Sequence, residues 1–148
     1  MKQSPPIAGF FGEYRFLSNF WHADINILGI PYMNVEAAYQ ASKSHDITIR
    51  EQFSRLGPKE AKARGRKIQI DGVWNDITKA TNMELCLRSK FLIPDLKDKL
   101  IATGSAELIE ANTWGDRFWG KCEGQGQNIL GKILMELREE LIRYKEVS

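Results

Sequence analysis

Metal-binding side chains are scarce in this chain of 148 residues, which has two histidines, His22 and His45, and two cysteines, Cys86 and Cys122. The cysteines are too far apart in sequence for a C-x-x-C redox or zinc pair, and a structural zinc site is not expected. Long apolar runs are also missing: no window approaches the roughly 20 residues a membrane-spanning helix needs. The opening Met1-Lys2-Gln3-Ser4-Pro5-Pro6 leads into no apolar stretch of the secretory type. The expectation is a reduced, cytoplasmic protein that makes no use of a membrane. Strong charge bias is absent as well. Against 21 Lys and Arg stand 19 Asp and Glu, a net charge of +2. This mild basicity falls short of what a dedicated nucleic-acid-binding protein carries, suits an anionic small molecule, and leaves nucleic acid open. No internal repeat, low-complexity tract or linker interrupts the chain.

Hydrophobic residues make up 43% and charged residues 27%, the balance of an ordinary globule, and the length suits one domain spanning residues 1–148. Aromatic and β-branched residues in 7–11 and 20–30, with turn signals at Gly29 and Pro31, predict a small β-hairpin or meander near the N-terminus. Helices follow. Asn34 is suited to cap one running through Lys43; another is expected from Asp46 to Leu56, a third from Pro58, a long one from Trp74 to Phe91 with Ile77, Ala80, Met83 or Glu84, Leu87 and Phe91 on one inward stripe, and a shorter one from Pro94 to Thr103. Leu130, Ile133, Leu134, Leu137 and Leu141 recur at helical spacing in the last. The fold class expected is mainly α, a compact helical domain with a small β element.

Three stretches carry candidate chemistry. The first is Asp116 to Asn128, with Trp119, Gly120, Gly124 and Gly126. Its glycines would let backbone approach a ligand closely, and the helix start at Asn128 could seat a phosphate or carboxylate on orphan amides. Set against this, a Gly-rich segment before a helix is most often only a loop, and neither G-x-x-x-x-G-K-[ST] nor a full G-x-G-x-x-G is present. The second is Glu36, Tyr39, Gln40 and Lys43, which helical spacing sets on one face, Glu36 and Lys43 about 10 Å apart along the axis. Such a face is usually solvated, but its aromatic neighbours favour a pocket lining. The third is Lys59 to Lys67, five basic residues against one acid. It is either a solvated helix face or a phosphate contact. Ser18 and Asn19 add polar groups among aromatics, or simply join two strands.

The segments Leu17-Ser18-Asn19-Phe20, Val35-Glu36-x-x-Tyr39-Gln40-Ala41-x-Lys43, Gly65-Arg66, Trp74, Lys90-Phe91, Leu100-x-x-Thr103-Gly104 and Asp116-x-x-Trp119-Gly120 through Asn128 to Arg138 stand in that order. Together they resemble the NADAR or YbiA-like family over nearly the whole chain. Val35 and Ala37 depart from the Ser and His that commonly flank the family's glutamate. The resemblance implies a predominantly helical fold and an N-glycosidase acting on a (phospho)ribosyl or ADP-ribosyl group joined to a base. The implied substrates are phosphoribosylamino-pyrimidines of riboflavin synthesis or guanine ADP-ribosylated in nucleic acid.

Breaking a ribosyl C1–N bond passes through an oxocarbenium-like centre that calls for a carboxylate and a positioned nucleophile. Glu36 and Lys43 are the candidate pair, with Asp116 as an alternative carboxylate for direct attack by water. Asn19, Tyr39, Arg66, Trp119, Gly120 and Asn128 are candidates for holding substrate. No cofactor or metal is required. The competing class is a non-catalytic module that binds ADP-ribose or nucleic acid. The oligomeric state is not encoded in any pattern found.

Overall fold

The computed structural model describes residues 4–147, and they divide into two compact units. One is the continuous stretch Asn19–Ile93; the other joins the chain up to Ser18 with the chain from Pro94 onward. The fold is mainly α with small strands: six α-helices, one 3-10 turn and three two-stranded sheets among the described residues. No described helix is long and apolar enough to cross a membrane.

With β1 (Ile7–Ala8) in the other unit, the continuous unit opens on β2 (Ile25–Ile27) and β3 (Ile30–Tyr32), an antiparallel hairpin with Ile25 opposite Tyr32. Leu28 and Gly29, both at positive φ, close it, and Asn26 Oδ1 accepts from the Gly29 amide. The chain then enters α1 (Val35–Ala41). Asn34 caps it by accepting from the Ala37 amide at 2.7 Å, while its own Nδ2 donates to the Leu56 carbonyl at 3.1 Å. Every residue of α1 is buried. Four of its seven are Val or Ala, small enough for α3 (Pro58–Gly65) and α4 (Asp76–Lys90) to pack close on either side. Between them α2 spans only Ile47–Glu51, and the chain continues in turns to the buried Phe53 and Leu56, so the longer helix expected to Leu56 is cut short.

The α4 helix begins after Asn75, whose side chain accepts from the Thr78 amide while Thr78 Oγ1 accepts from the Asn75 amide. That reciprocal cap places the start after Trp74, which belongs to the preceding loop. Its buried stripe is Met83, Cys86, Leu87 and Lys90, and Ile77, expected inward, is 76% exposed.

In the split unit, β1 (Ile7–Ala8) pairs in parallel with β4 (Leu108–Ile109) and takes no part in the hairpin. A second parallel pair joins β5 (Ala111–Asn112) to β6 (Lys121–Cys122). Helices α5 (Pro94–Ala102) and α6 (Ile129–Val147) pack together, α6 burying Leu130, Ile133, Leu134 and Leu137. Buried Arg138 donates from Nη1 to the Ala106 carbonyl at 2.7 Å and to Thr103 Oγ1 at 3.0 Å, tying α6 to the turn after α5.

Candidate active site

Because α1 is buried along its whole length, its polar residues cannot be solvated. Glu36 is 8% exposed and Gln40, one turn later, 7%. Gln40 Nε2 donates to Glu36 Oε1 at 2.9 Å, and the Glu36 amide donates to the Asn19 carbonyl at 3.2 Å. The helix ends at Ala41, so Lys43 is not on its surface but in the turn that follows. Lys43 Nζ donates to the Gly65 carbonyl at 3.2 Å, at the end of α3. The ion pairs among the described residues do not include Glu36 with Lys43.

Removal from water disfavours charge on both groups, and it is the leading influence on each. Burial raises the Glu36 carboxyl above its ordinary value; the Gln40 hydrogen bond and the positive charges of Lys62, Lys43 and Arg66 pull it partly back. Burial lowers the Lys43 ammonium, Glu36 opposes that shift, and Lys79 and Arg66 add to it. The acid is therefore driven toward holding its proton and the base toward losing one, which is how a site makes a proton donor and an amine nucleophile available near neutrality.

Two features beside this pair were not expected from sequence. Gly65 faces the Gln40 side chain so closely that a Cβ there would fall inside the amide group. Tyr39, buried on α1, lies 5.8 Å from the ring of Trp74, which is half-buried in the loop before α4. That loop is fastened beside Lys43. The Asp71 amide donates to the Lys43 carbonyl, and the Asp71 carboxylate accepts from Ser44 Oγ and the His45 amide and meets His45 Nδ1. Exposed Arg66 caps α3. Thus Glu36, Lys43, Asn19, Tyr39 and Arg66 all belong to the continuous unit. The i to i+4 spacing of Glu36 and Gln40 was the readable sign of their bond; Gly65 gave no sign, because what makes it necessary lies on another helix.

Asp116, Trp119, Gly120 and Asn128 belong to the split unit. Asp116 Oδ1 accepts from the Phe118 and Trp119 amides at 3.0 and 2.9 Å, a turn-forming role. The half-buried Trp119 ring meets Phe118 edge-on, centroids 4.7 Å apart. Asn128 is 2% exposed, its Nδ2 donating to the Leu108 carbonyl and its Oδ1 accepting from the Glu110 amide. The amides of Asn128, Ile129 and Leu130 donate to the carbonyls of Gly120, Phe118 and Trp119. These are the groups expected to be free for an anion, and the chain's own loop takes them. The glycines behave likewise: a Cβ at Gly120 would strike Glu110, at Gly126 the Gly120 carbonyl, and at Gly131 the Leu108 carbonyl. What approaches these glycines closely is the protein's own backbone.

Comparison with known proteins adds four matches. A family model described as "NADAR domain" matches residues 9–142. The chain is 35% identical over 134 residues to "N-glycosidase YbiA" of Escherichia coli (strain K12), covering 87% of this chain and 82% of that one. It is 37% identical over 137 residues to "Riboflavin biosynthesis protein VVA0006" of Vibrio vulnificus (strain YJ016), covering 87% of this chain but only 36% of that longer protein. The NMR structure of the E. coli protein YbiA superposes with a TM-score of 0.85 at 33% identity, covering 98% of this chain and 89% of the other.

Proposed function

The chain belongs to the NADAR domain family and is an N-glycosidase, and from that premise we propose that it hydrolyses the bond between C1 of a phosphate-bearing ribosyl group and the nitrogen of a base, using Glu36 and Lys43. One observation carries this reading: a buried carboxyl and a half-buried amine, held apart by hydrogen bonds and each displaced by burial toward its neutral form. The substrate class follows from the surroundings. Lys62 and Arg66 act on Glu36, and Lys79 and Arg66 act on Lys43, a positive setting suited to phosphate. Phosphoribosylamino-pyrimidines and ADP-ribosylated guanine both satisfy it. Two buried, free cysteines, Cys86 and Cys122, suit a reducing cytoplasm.

In the reaction, the neutral Lys43 amine attacks C1 as the C1–N bond breaks, and the base leaves with a proton from the Glu36 carboxyl. The attached nitrogen then loses a proton and expels the ring oxygen, which is protonated as the ring opens to a Schiff base. Glu36, now a carboxylate, takes a proton from water as that water adds to C1. Departure of the amine releases the free sugar and restores Lys43. Arg66 holds phosphate and Tyr39 covers the sugar or base.

The test is a panel containing a phosphoribosylamino-pyrimidine, a free ADP-ribose conjugate and guanine-ADP-ribosylated DNA, read by mass spectrometry for released base. Release from the pyrimidine alone assigns a small-molecule role, and release from the DNA alone assigns a repair role. Tight binding with no released base anywhere would overturn the catalytic reading in favour of a binding module.

A further inference from the structure

Among the described residues, the buried side-chain oxygens left without a hydrogen-bond partner are Asn19 Oδ1 and Gln40 Oε1. The second is the more informative, because Gln40 also makes the hydrogen bond to Glu36. An amide can present either its NH2 or its oxygen to a neighbour. Turned the other way, Gln40 would set its carbonyl oxygen against the Glu36 carboxylate, two acceptors facing one another. The orientation observed satisfies Glu36 and leaves Oε1 against Gly65, where there is no donor. An unsatisfied buried acceptor is destabilising, so its retention calls for a reason. Gly65 is the residue whose carbonyl accepts from Lys43 Nζ. Glu36, Gln40, Gly65 and Lys43 therefore form one continuous contact path, with the amide of Gln40 as its wedge.

We propose that Gln40, seated against Gly65, is a positioning residue that fixes the Glu36 carboxyl and the Lys43 amine relative to each other. The proposal rests on the glycosidase reading, and it reaches residues for which that reading has no role. A side chain at position 65 would displace the Gln40 amide and, with it, the backbone carbonyl that holds Lys43. Removing the amide donor leaves Glu36 facing Lys62 and Arg66 from the α3 side, Lys43 from the turn after its own helix, and the Cys86 thiol from α4. Those cations favour the carboxylate, but the largest single hydrogen-bond contribution in its favour is gone.

The decisive variant is Gln40→Met, which keeps length and volume and loses both amide atoms. Titrating the Glu36 carboxyl by carbon-13 NMR in wild-type and variant protein, without substrate, reads the proposal independently of whether any glycoside is cleaved. The expected result is an upward shift of the Glu36 titration by about one unit. With a cleavable substrate, the alkaline limb of the kcat profile, where Glu36 loses the proton it gives to the leaving base, should move up by the same amount, and kcat should fall about tenfold or more with KM nearly constant. Gln40→Glu should not restore the wild-type profile, because a second carboxylate pushes Glu36 up further. Gly65→Ala should reproduce the kcat loss if it folds. An unmoved Glu36 titration in Gln40→Met, with only a changed melting temperature, would overturn the proposal and reduce Gln40 to packing. A moved titration in a protein that cleaves nothing in the panel would uphold the positioning and reject the glycosidase reading.

Discussion

In the Asn19–Ile93 unit, two buried amide oxygens lack partners beside a buried carboxyl and a half-buried amine; in the unit that starts again at Pro94, Asn128 and Arg138 are buried and bonded to backbone. The first unit contains Glu36 displaced upward, Lys43 displaced downward, and Lys90, fully buried, lowered to about 7 by burial alone. In the second, the asparagines stand where a segment without regular structure must be held: Asn128 between β4 and α6, Asn112 between Glu110 and Asp116. Burial that displaces titratable groups marks the first unit, and buried amides bonded to backbone mark the second. The same residue type, a buried amide side chain, serves both ends.

The largest expected effect tests the reactive side. Glu36→Gln and Lys43→Ala should each reduce turnover about a thousandfold or more, non-additively in the double variant because both serve one step. Borohydride added during wild-type turnover should leave a ribosyl adduct on the peptide carrying Lys43. Full activity in Lys43→Ala would remove the amine from the mechanism. The next tests the architectural side. Asn128→Ala leaves the Glu110 amide and the Leu108 carbonyl without their partner and places alanine at a φ of 53°, so urea unfolding should show a loss of about 2–4 kcal/mol. Turnover per folded molecule should hold. A stable Asn128→Ala protein that fails to bind substrate would break the division just drawn.

A subtler outcome concerns stability against pH. Since the folded Glu36 pKa is raised, the stability it contributes is complete below its unfolded value, about 4.3, and is lost as pH rises through the folded value. Glu36→Gln should therefore melt above wild type at neutral pH, and the difference should vanish in acid; a variant less stable than wild type at pH 7 would show that the surrounding cations outweigh burial. The smallest effect belongs to Arg66→Ala. An exposed guanidinium in a positive setting should matter for phosphate, so KM should rise about threefold to tenfold with kcat and melting temperature nearly unchanged. Equal KM for a phosphorylated ribosyl substrate and its dephosphorylated form would remove Arg66 from recognition.

Sequence showed much of this arrangement. The Asn34 cap, the hairpin, Pro58 at the start of α3 and the apolar stripe of α6 follow local rules. What it concealed has a common physical origin in tertiary packing. Lys90 is a polar letter in a helical pattern, so the buried face takes in Cys86 and Lys90 beside the expected Met83 and Leu87, while Ile77, at the start of the expected stripe, is exposed. Gly120 and Gly126 looked open because a one-dimensional pattern cannot show that the carbonyls of Glu110 and Gly120 occupy the space beside them. Lys43 left the helix face because α1 stops at Ala41, and its amine found a carbonyl at the end of α3 in place of the expected axial register with Glu36.

The parallel pairing of β1 with β4 has a consequence for biogenesis. Ile7 and Leu108 meet across about a hundred residues of chain, a closure that is slow for entropic reasons, whereas the partners of Glu36 and Lys43 have all left the ribosome once Cys86 has. Vectorial synthesis thus lets the reactive groups gather first, while the N-terminal strand waits unpaired for the second half of the polypeptide. A ribosome stalled beyond α4 would display that strand edge with no mate, and a chaperone that shields short extended segments would find its client there.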